Sequence, residues 1–185
     1  MAHLLFKTKG NSTPAKKPRV YFTSHPDDFD KHFERICEDI FETHNAAVYY
    51  TENMSEPIEK EYEESDLGQM NLFVIPVTYK LLSQPCRAMT YDIPYARKKS
   101  IPILPIMMES GLEMLYSAKD RFGELQYLDA NVTDPTVISY KEKLKKHLEA
   151  VLISDEVATR IRKAFDAYIF LSYPLHPRPD RAYLP

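Results

Sequence analysis

The sequence predicts an α/β domain of the flavodoxin-like class: a three-layer sandwich with a parallel five-stranded sheet and helices on both faces. One observation behind this prediction is that apolar strand-like segments alternate with helical segments, which favours parallel strands joined by right-handed crossovers. A second is Leu72–Val77, a nearly continuous apolar run typical of a strand covered on both faces. A third is the helical spacing of apolar residues between the strands.

The first half of the domain is predicted to contain two strands and one helix. Residues 1–18 include Gly, Ser, Thr and Pro close together, so we expect a flexible N-terminal tail or linker. The first strand is predicted at 19–23, and Pro26 suits the first turn of a following helix. Apolar residues in Phe29–Phe41 recur every three or four positions, so one face of that helix should be buried. The second strand is predicted at 46–50.

The second half is predicted to supply three more strands. An acidic segment, 51–64, begins as a loop after the second strand. The third strand is Leu72–Val77, and a helix interrupted by two prolines is predicted over 79–98. The fourth and fifth strands are predicted at 101–108 and 125–128. Prolines in the fourth strand indicate an irregular or outer position.

The C-terminal part of the chain sets the domain boundaries. Residues 139–153 have the apolar stripe of an amphipathic helix, which completes a domain spanning 19–153. A linker helix with a serine N-cap is predicted at 154–165. Residues 166–185 then resemble the truncated start of a second domain, because their prolines prevent the helix that should follow. We expect the segment after Tyr173 to be poorly ordered.

Composition and charge exclude several functional classes. The chain has 185 residues, of which 44% are hydrophobic and 28% charged, as in ordinary globular domains. A formal net charge of −3 with scattered Lys and Arg gives no reason to expect nucleic-acid binding. No apolar run approaches the ~20 residues of a membrane span, and no signal-peptide core is present. Cys37 and Cys86 do not indicate a disulfide framework, so a cytoplasmic location is expected. The acidic run 59–66 lacks nearby His or Cys, so no metal site is expected.

A repeated pattern near the two ends of the chain indicates a family. Asp166–Tyr173, with the sequence DAYIFLSY, combines apolar and aromatic residues and ends in a serine and a ring. Val20–His25, with the sequence VYFTSH, is a looser copy of it. The C-terminal copy, followed by Asp180–Tyr183, resembles the opening box of Toll/interleukin-1 receptor (TIR) domains.

A second box of the same family is partly present. In TIR domains a strand is followed by Ser-x-Trp-Cys and then by Glu-Leu-x-x-Ala. Here the strand is Leu72–Thr78, the serine and cysteine are Ser83 and Cys86, and proline stands at the tryptophan position. Ile101–Pro105 is similar to the apolar strand that comes next. The resemblance covers residues 19–153, an ordinary length for one domain.

The resemblance implies one of two activities. Many TIR domains associate with other TIR domains in signalling, whereas others, common in bacteria and plants, cleave the nicotinamide–ribose bond of NAD. In the enzymes a glutamate of the second box sits in a pocket at the carboxyl edge of the sheet. A carboxylate there can hold the ribose hydroxyls and stabilise the positive charge that develops as the bond breaks. The resemblance therefore implies NAD as a substrate or ligand and no resident cofactor.

Asp92 is the candidate for the catalytic carboxylate. Counting forward from Cys86 puts Met89 in the glutamate position, whereas counting back from Ala96 puts Asp92 there. Aspartate supplies the charge but is shorter than glutamate by one carbon–carbon bond, about 1.5 Å. The alternative is that Asp92 caps the helical segment around Pro94. The sequence leaves both interpretations open.

Five further residues are candidates for ligand contacts. Ser24 and His25 end the first strand, where a pocket is expected, although both could instead cap the next helix. Tyr50 and Thr51 begin the loop after the second strand, which in TIR domains often mediates association or gates the pocket. The proline-glycine turn common in the family is absent there. Arg87 is a candidate partner for a phosphate, with a surface salt bridge as the alternative.

The resemblance leads to three possible functions. The first is a TIR-like signalling domain, in bacterial or antiphage defence, that assembles with other TIR domains, recognises NAD-type nucleotides, or does both. The alternative is an NAD glycohydrolase that uses Asp92. A third is a sensor that binds a nucleotide signal without cleaving it. A response-regulator receiver is excluded, because Val77–Tyr79 has no carboxylate at the end of the third strand.

Overall fold

The computed structural model describes residues 4–51, 66–118, 120–134 and 136–152. The chain divides after Ile153 into two units, and the described residues belong to the first. The linker helix predicted at 154–165 and the second-domain start predicted at 166–185 lie outside the described residues. Most of the acidic segment 51–64 also lies outside them.

Six strands form one mixed sheet in the described part of the chain. They are β1 Leu4–Thr8, β2 Arg19–Phe22, β3 Ala47–Thr51, β4 Leu72–Val77, β5 Ile103–Met107 and β6 Leu128–Asp129. Their order across the sheet is β1-β3-β2-β4-β5-β6. The strands β2 to β6 run parallel, whereas β1 pairs antiparallel with β3.

The sheet differs from the predicted one by its edge strand. The five parallel strands have the order second-first-third-fourth-fifth, so the α/β fold is compatible with the flavodoxin-like class. The prediction of a purely parallel five-stranded sheet is wrong, because β1 lies within the expected flexible tail 1–18 and adds a sixth strand. Leu4 pairs with Thr51 and Thr8 with Ala47. The edge of β3 offers backbone groups that need partners, and this short apolar segment supplies them.

Five α-helices lie in the described part of the chain, four between strands and one after β6. They are α1 Phe29–Thr43, α2 Tyr79–Ser83, α3 Ile93–Lys98, α4 Glu113–Tyr116 and α5 Tyr140–Val151. The helix predicted over 79–98 is divided into α2, a π turn at Ala88–Asp92, and α3. Pro85 and Pro94 explain the division, because proline has no backbone N–H to donate within a helix.

Helices cover both faces of the sheet. Successive residues of a strand point to opposite faces, so neighbours in one strand pack against different helices. On one face Phe22 packs among apolar residues of α1 and α5, such as Ile36. On the other face Tyr21 and Phe73 pack with Ala96 of α3. All six residues of β4 are buried, as their apolar run predicts.

Candidate functional site

The candidate site lies where the strand order reverses. From the carboxyl end of β2 the chain continues to β3 on one side, and from that of β4 it continues to β5 on the other side. The chain therefore leaves the neighbouring strands β2 and β4 in opposite directions. Ligands of doubly wound sheets bind at such a switch point. Thr23 follows β2 directly, Thr78 follows β4 directly, and both threonines are buried.

Asp92 is fully buried at this point and accepts at least three hydrogen bonds. Thr23 Oγ1 donates to Asp92 Oδ2 at 2.5 Å. Arg87 donates to Asp92 Oδ1 from Nε at 3.1 Å and from Nη2 at 3.2 Å. The Arg87 side chain is only 5% exposed, and that of Asp92 is 0% exposed. The two residues therefore form a buried, charge-assisted pair.

A π turn brings this pair together. The N–H of Ile93 bonds to the carbonyl of Ala88, five residues earlier. In a regular α-helix, residues five apart do not share a face, whereas this wider turn aligns Arg87 with Asp92. Asp92 occupies the N-cap position of α3, as the capping alternative expects, but its side chain makes no capping hydrogen bond to that helix.

Two buried hydroxyl groups near the pair lack hydrogen-bond partners among the described residues. They belong to Tyr21 and Thr51. Burial raises the pKa of Tyr21 well above its usual value, and the negative charge of Asp92 raises it further. Thr51 lies close enough to oppose this shift, but the two hydroxyl groups do not adopt hydrogen-bonding geometry. Tyr21 therefore remains a neutral phenol beside Asp92.

Ser24 and His25 lie in the turn between β2 and α1. His25 Nδ1 accepts a hydrogen bond from the backbone N–H of Asp27 at 3.2 Å, so His25 caps this turn. Ser24 Oγ donates to the carbonyl of His25 at 3.0 Å. Both residues are buried. The capping alternative therefore accounts for His25, and this hydrogen bond of Ser24 lies within the same turn.

Tyr50 lies on one side of the sheet, and Thr51 and Arg87 lie near Tyr21 on the other. The Tyr50 ring packs against two phenylalanine rings of α1, at centroid distances of 5.4 and 4.5 Å. Thr51, the next residue, lies beside Tyr21 on the opposite side. Arg87 is buried against Asp92 and not at the surface, so a phosphate would have to displace that carboxylate first. The structure thus brings Arg87 and Thr51 into the neighbourhood of Asp92 and places the half-buried Tyr50 against α1.

A second buried carboxylate lies at the same edge and was not singled out as a site residue from the sequence. Thr78 Oγ1 donates to Asp28 Oδ2 at 2.6 Å, and both residues are buried. The same oxygen accepts a hydrogen bond from the N–H of Leu81 at 3.2 Å and caps α2. A threonine placed directly after each of two apolar strands is the signal that could have found both this contact and the bond from Thr23 to Asp92.

The exposed part of the carboxyl edge is mostly acidic. Its charged side chains around β2, β4 and β5 are Asp27, Asp30, Glu109, Glu113, Lys31 and Lys80. Lys80 Nζ forms a salt bridge with Asp27 Oδ2 at 2.8 Å, and Lys31 Nζ lies 3.9 Å from Glu109 Oε1. This leaves Asp30 and Glu113 without a salt bridge among the described residues. Because NAD carries two negative phosphates, such an edge repels it more than it attracts it.

Other common kinds of site receive little support. Cys37 and Cys86 are buried, and burial raises the pKa of Cys37 to about 12 and that of Cys86 above its usual value. Neither thiol is therefore an activated nucleophile. Within the described ranges, no three His, Cys, Asp or Glu side chains form a group that could hold a metal ion. No described helix has the length and apolar character needed to cross a membrane.

Comparison of the chain with protein-family models, with curated proteins and with solved structures finds no match. The basis for a functional inference is therefore the fold, the buried Asp92–Arg87 pair and the charge of the carboxyl edge.

Proposed function

We propose that residues 19–153 form a TIR-like signalling domain that acts by assembling with other TIR domains and does not cleave NAD. The observation that carries the proposal is the state of Asp92, which occupies the candidate catalytic position. It is fully buried, and its two carboxylate oxygens accept hydrogen bonds from Thr23 and Arg87. Asp92 is thus held in the interior of the domain and is not presented to a ligand.

Catalysis would require this carboxylate to be free. An NAD glycohydrolase uses a carboxylate to stabilise positive charge on the ribose, and a carboxylate already paired with a guanidinium has little stabilisation left to give. Moving Asp92 toward a substrate would also leave Arg87 buried without a counter-ion. Loss of one partner from a buried pair costs about 3–5 kcal/mol. This cost favours a structural role for the pair.

Two more features support the proposal. The strand order is compatible with the class to which TIR domains belong. The acidic carboxyl edge is a poor surface for a dinucleotide, so nucleotide recognition is the weaker part of the TIR resemblance in this chain. Assembly requires no pocket and is consistent with both features.

An NAD glycohydrolase that uses Asp92 is the second candidate, and one observation favours it. Single π turns inside helical segments occur frequently at functional sites. The π turn at Ala88–Asp92 also lies at the switch point of the sheet, where ligands bind in this class. In that case Arg87 would release Asp92 when the substrate enters.

Two measurements on one purified sample separate these functions. Sedimentation velocity over a concentration series measures assembly, and chromatographic detection of nicotinamide measures cleavage of NAD. We expect concentration-dependent assembly and no nicotinamide beyond that of a heat-inactivated sample. Nicotinamide release that is lost in Asp92→Asn but retained in Asp27→Asn, an exposed carboxylate of the same edge, would overturn the proposal. Calorimetric titration with NAD and with ADP-ribose tests the sensor.

A further inference from the structure

The amino edge of the sheet carries the opposite charge to the carboxyl edge. β1 is antiparallel to its neighbour, so the residue after it lies at the amino edge, together with the segments that lead into β2 and β5. The basic residues in these three places are Lys9, Lys16, Lys17, Arg97, Lys98 and Lys99. The acidic exceptions in the described segments leading into strands are Asp66 before β4 and Asp120 and Glu124 before β6.

The lysines of the amino edge are available to a partner. Lys9, Lys16, Lys98 and Lys99 are exposed. Within the described residues these four make no salt bridge. Glu38 and Glu42 of α1 line the same surface depression as Lys9 and partly offset its charge. No described carboxylate forms a salt bridge with Lys16, Lys98 or Lys99, so an acidic surface could bind these three.

The carboxyl edge combines its acidic residues with exposed apolar side chains. Tyr79 is 56% exposed at the start of α2, and Met114 is 91% exposed in α4, beside the half-exposed Leu115. Tyr79 and Glu109 are in direct contact, because the backbone N–H of Tyr79 donates to Glu109 Oε2 at 2.9 Å. Aromatic residues and methionine are enriched in protein interfaces, whose rims are polar. This edge therefore has the composition of an interface.

We propose that copies of this domain stack head to tail, with the basic amino edge of one copy against the acidic carboxyl edge of the next. The proposal rests on the assembly function proposed above and names its interface and partner, a second copy of this chain. The partner follows from charge complementarity, since one molecule carries both signs on opposite edges. Two different surfaces meet in such a contact, so it is heterologous and extends into open chains unless the rotation closes a ring.

Charge-swap variants test this interface. The amino-edge variant is Lys98→Glu/Lys99→Glu, and the carboxyl-edge variant is Asp30→Lys/Glu113→Lys. Each variant alone brings like charges together, so its dissociation constant should rise at least about tenfold. An equal mixture of the two variants should assemble again, because each reversed edge then meets a reversed edge of opposite sign. Light scattering and sedimentation velocity measure both effects.

A control matched to the amino-edge variant carries the same change in net charge elsewhere. Arg35→Glu/Lys146→Glu alters exposed positions of α1 and α5 and should assemble like the unmodified protein. Raising the salt concentration from about 50 to about 500 mM should weaken assembly, because salt screens charge attraction between exposed groups. Circular dichroism verifies that each variant is folded.

The outcomes distinguish this interface from the function on which it rests. If the chain assembles and both edge variants assemble equally well, the head-to-tail contact is wrong but assembly stands. If the unmodified chain remains monomeric at every concentration, the proposed function fails first. Binding of a DNA oligonucleotide that the amino-edge variant loses, with assembly unchanged in that variant, would assign the basic edge to nucleic acid and overturn the stacking contact.

Discussion

At the scale of single residues, the surroundings of Asp92 decide what its carboxylate can do. Asp30 is an exposed aspartate of the same sheet edge and is open to a partner, whereas Asp92 is enclosed with Thr23 and Arg87. A buried charge depends on its protein partners, because water cannot replace them. Removing one partner therefore costs more than the contact itself contributes.

The buried pair gives a prediction about stability. Arg87→Met should lower the free energy of unfolding by about 3–5 kcal/mol, since it leaves Asp92 buried and unpaired. The double variant Arg87→Met/Asp92→Leu removes both charges and should recover part of the loss. Urea denaturation followed by circular dichroism measures both. As a control, Lys80→Met breaks the exposed pair with Asp27 and should change stability little. If Arg87→Met and Lys80→Met lower the free energy of unfolding by the same amount, Asp92 is not enclosed.

Tyr21 gives a second prediction at this scale. Its hydroxyl is buried without a hydrogen-bond partner in the described part of the chain, so Tyr21→Phe should leave the free energy of unfolding unchanged or raise it by up to about 1 kcal/mol. Tyr116 is the matched control, because its hydroxyl donates to the carbonyl of Leu125 at 2.6 Å. Tyr116→Phe should therefore cost about 0.5–1.5 kcal/mol. If the two variants lose the same stability by urea denaturation, the hydroxyl of Tyr21 has a partner.

At the scale of elements, local patterns account for the long strands and helices, and long-range contacts account for the rest. β4 has the bounds that its apolar run predicts, and α1 and α5 follow their apolar periodicity. β1 could not be predicted, because five residues with no turn to a partner become a strand only at the edge of β3. The four residues of α4 are too few to show a helical period.

The Arg87–Asp92 contact was beyond prediction for a related reason. Sequence patterns for helices search for residues three or four positions apart, since these share a face. Arg87 and Asp92 are five apart and meet only because Ala88–Asp92 is a π turn. Thr23, the third member, is 69 positions from Asp92 in the chain. The candidate residue is thus visible in the sequence, but its burial against Arg87 and Thr23 is not.

Removal of β1 distinguishes a strand from the flexible tail that the sequence suggests. Deletion of residues 1–8 should lower the free energy of unfolding by about 1–3 kcal/mol, which is within the range of common destabilising substitutions. Backbone amides of β3 should exchange hydrogen faster, because β1 is their antiparallel partner. Amides of β4, which pairs with β2 and β5, serve as the internal control. A flexible tail predicts no change in β3.

At the scale of the whole molecule, the direction of the strands creates the difference in charge between the two sheet edges. Lys9 and Lys16 lie near the start of the chain, whereas Lys99 lies far from them in the sequence. The sheet gathers them at one edge, since the starts of the parallel strands and the end of the antiparallel β1 meet there. Composition could not reveal this separation, because the formal net charge of −3 averages over both edges. Knowledge of the strand order is required.

The histidines of the described chain connect local burial to the stability of the whole domain. Burial lowers the pKa of His32, His44 and His147 below the usual value. His32 is the most enclosed, and its Nε2 has no hydrogen-bond partner among the described residues. The charged groups that act on it are Lys31, Asp28, Arg35 and Glu109. The two basic residues add to the effect of burial, and the two carboxylates oppose it.

The stability of the domain should therefore fall as the pH falls below about 6.5, the usual pKa of histidine in an unfolded chain. Between that value and the lower pKa of the folded state, the unfolded chain binds more protons, so acidification favours unfolding. We expect a lower free energy of unfolding at about pH 5.5 than at about pH 7.5, a window above the usual pKa of carboxylates. Because His32→Gln removes one of these groups, its stability should depend less steeply on pH. Urea denaturation at both pH values measures the difference, and equal slopes would mean that His32 is protonated as easily in the folded domain as in the unfolded chain.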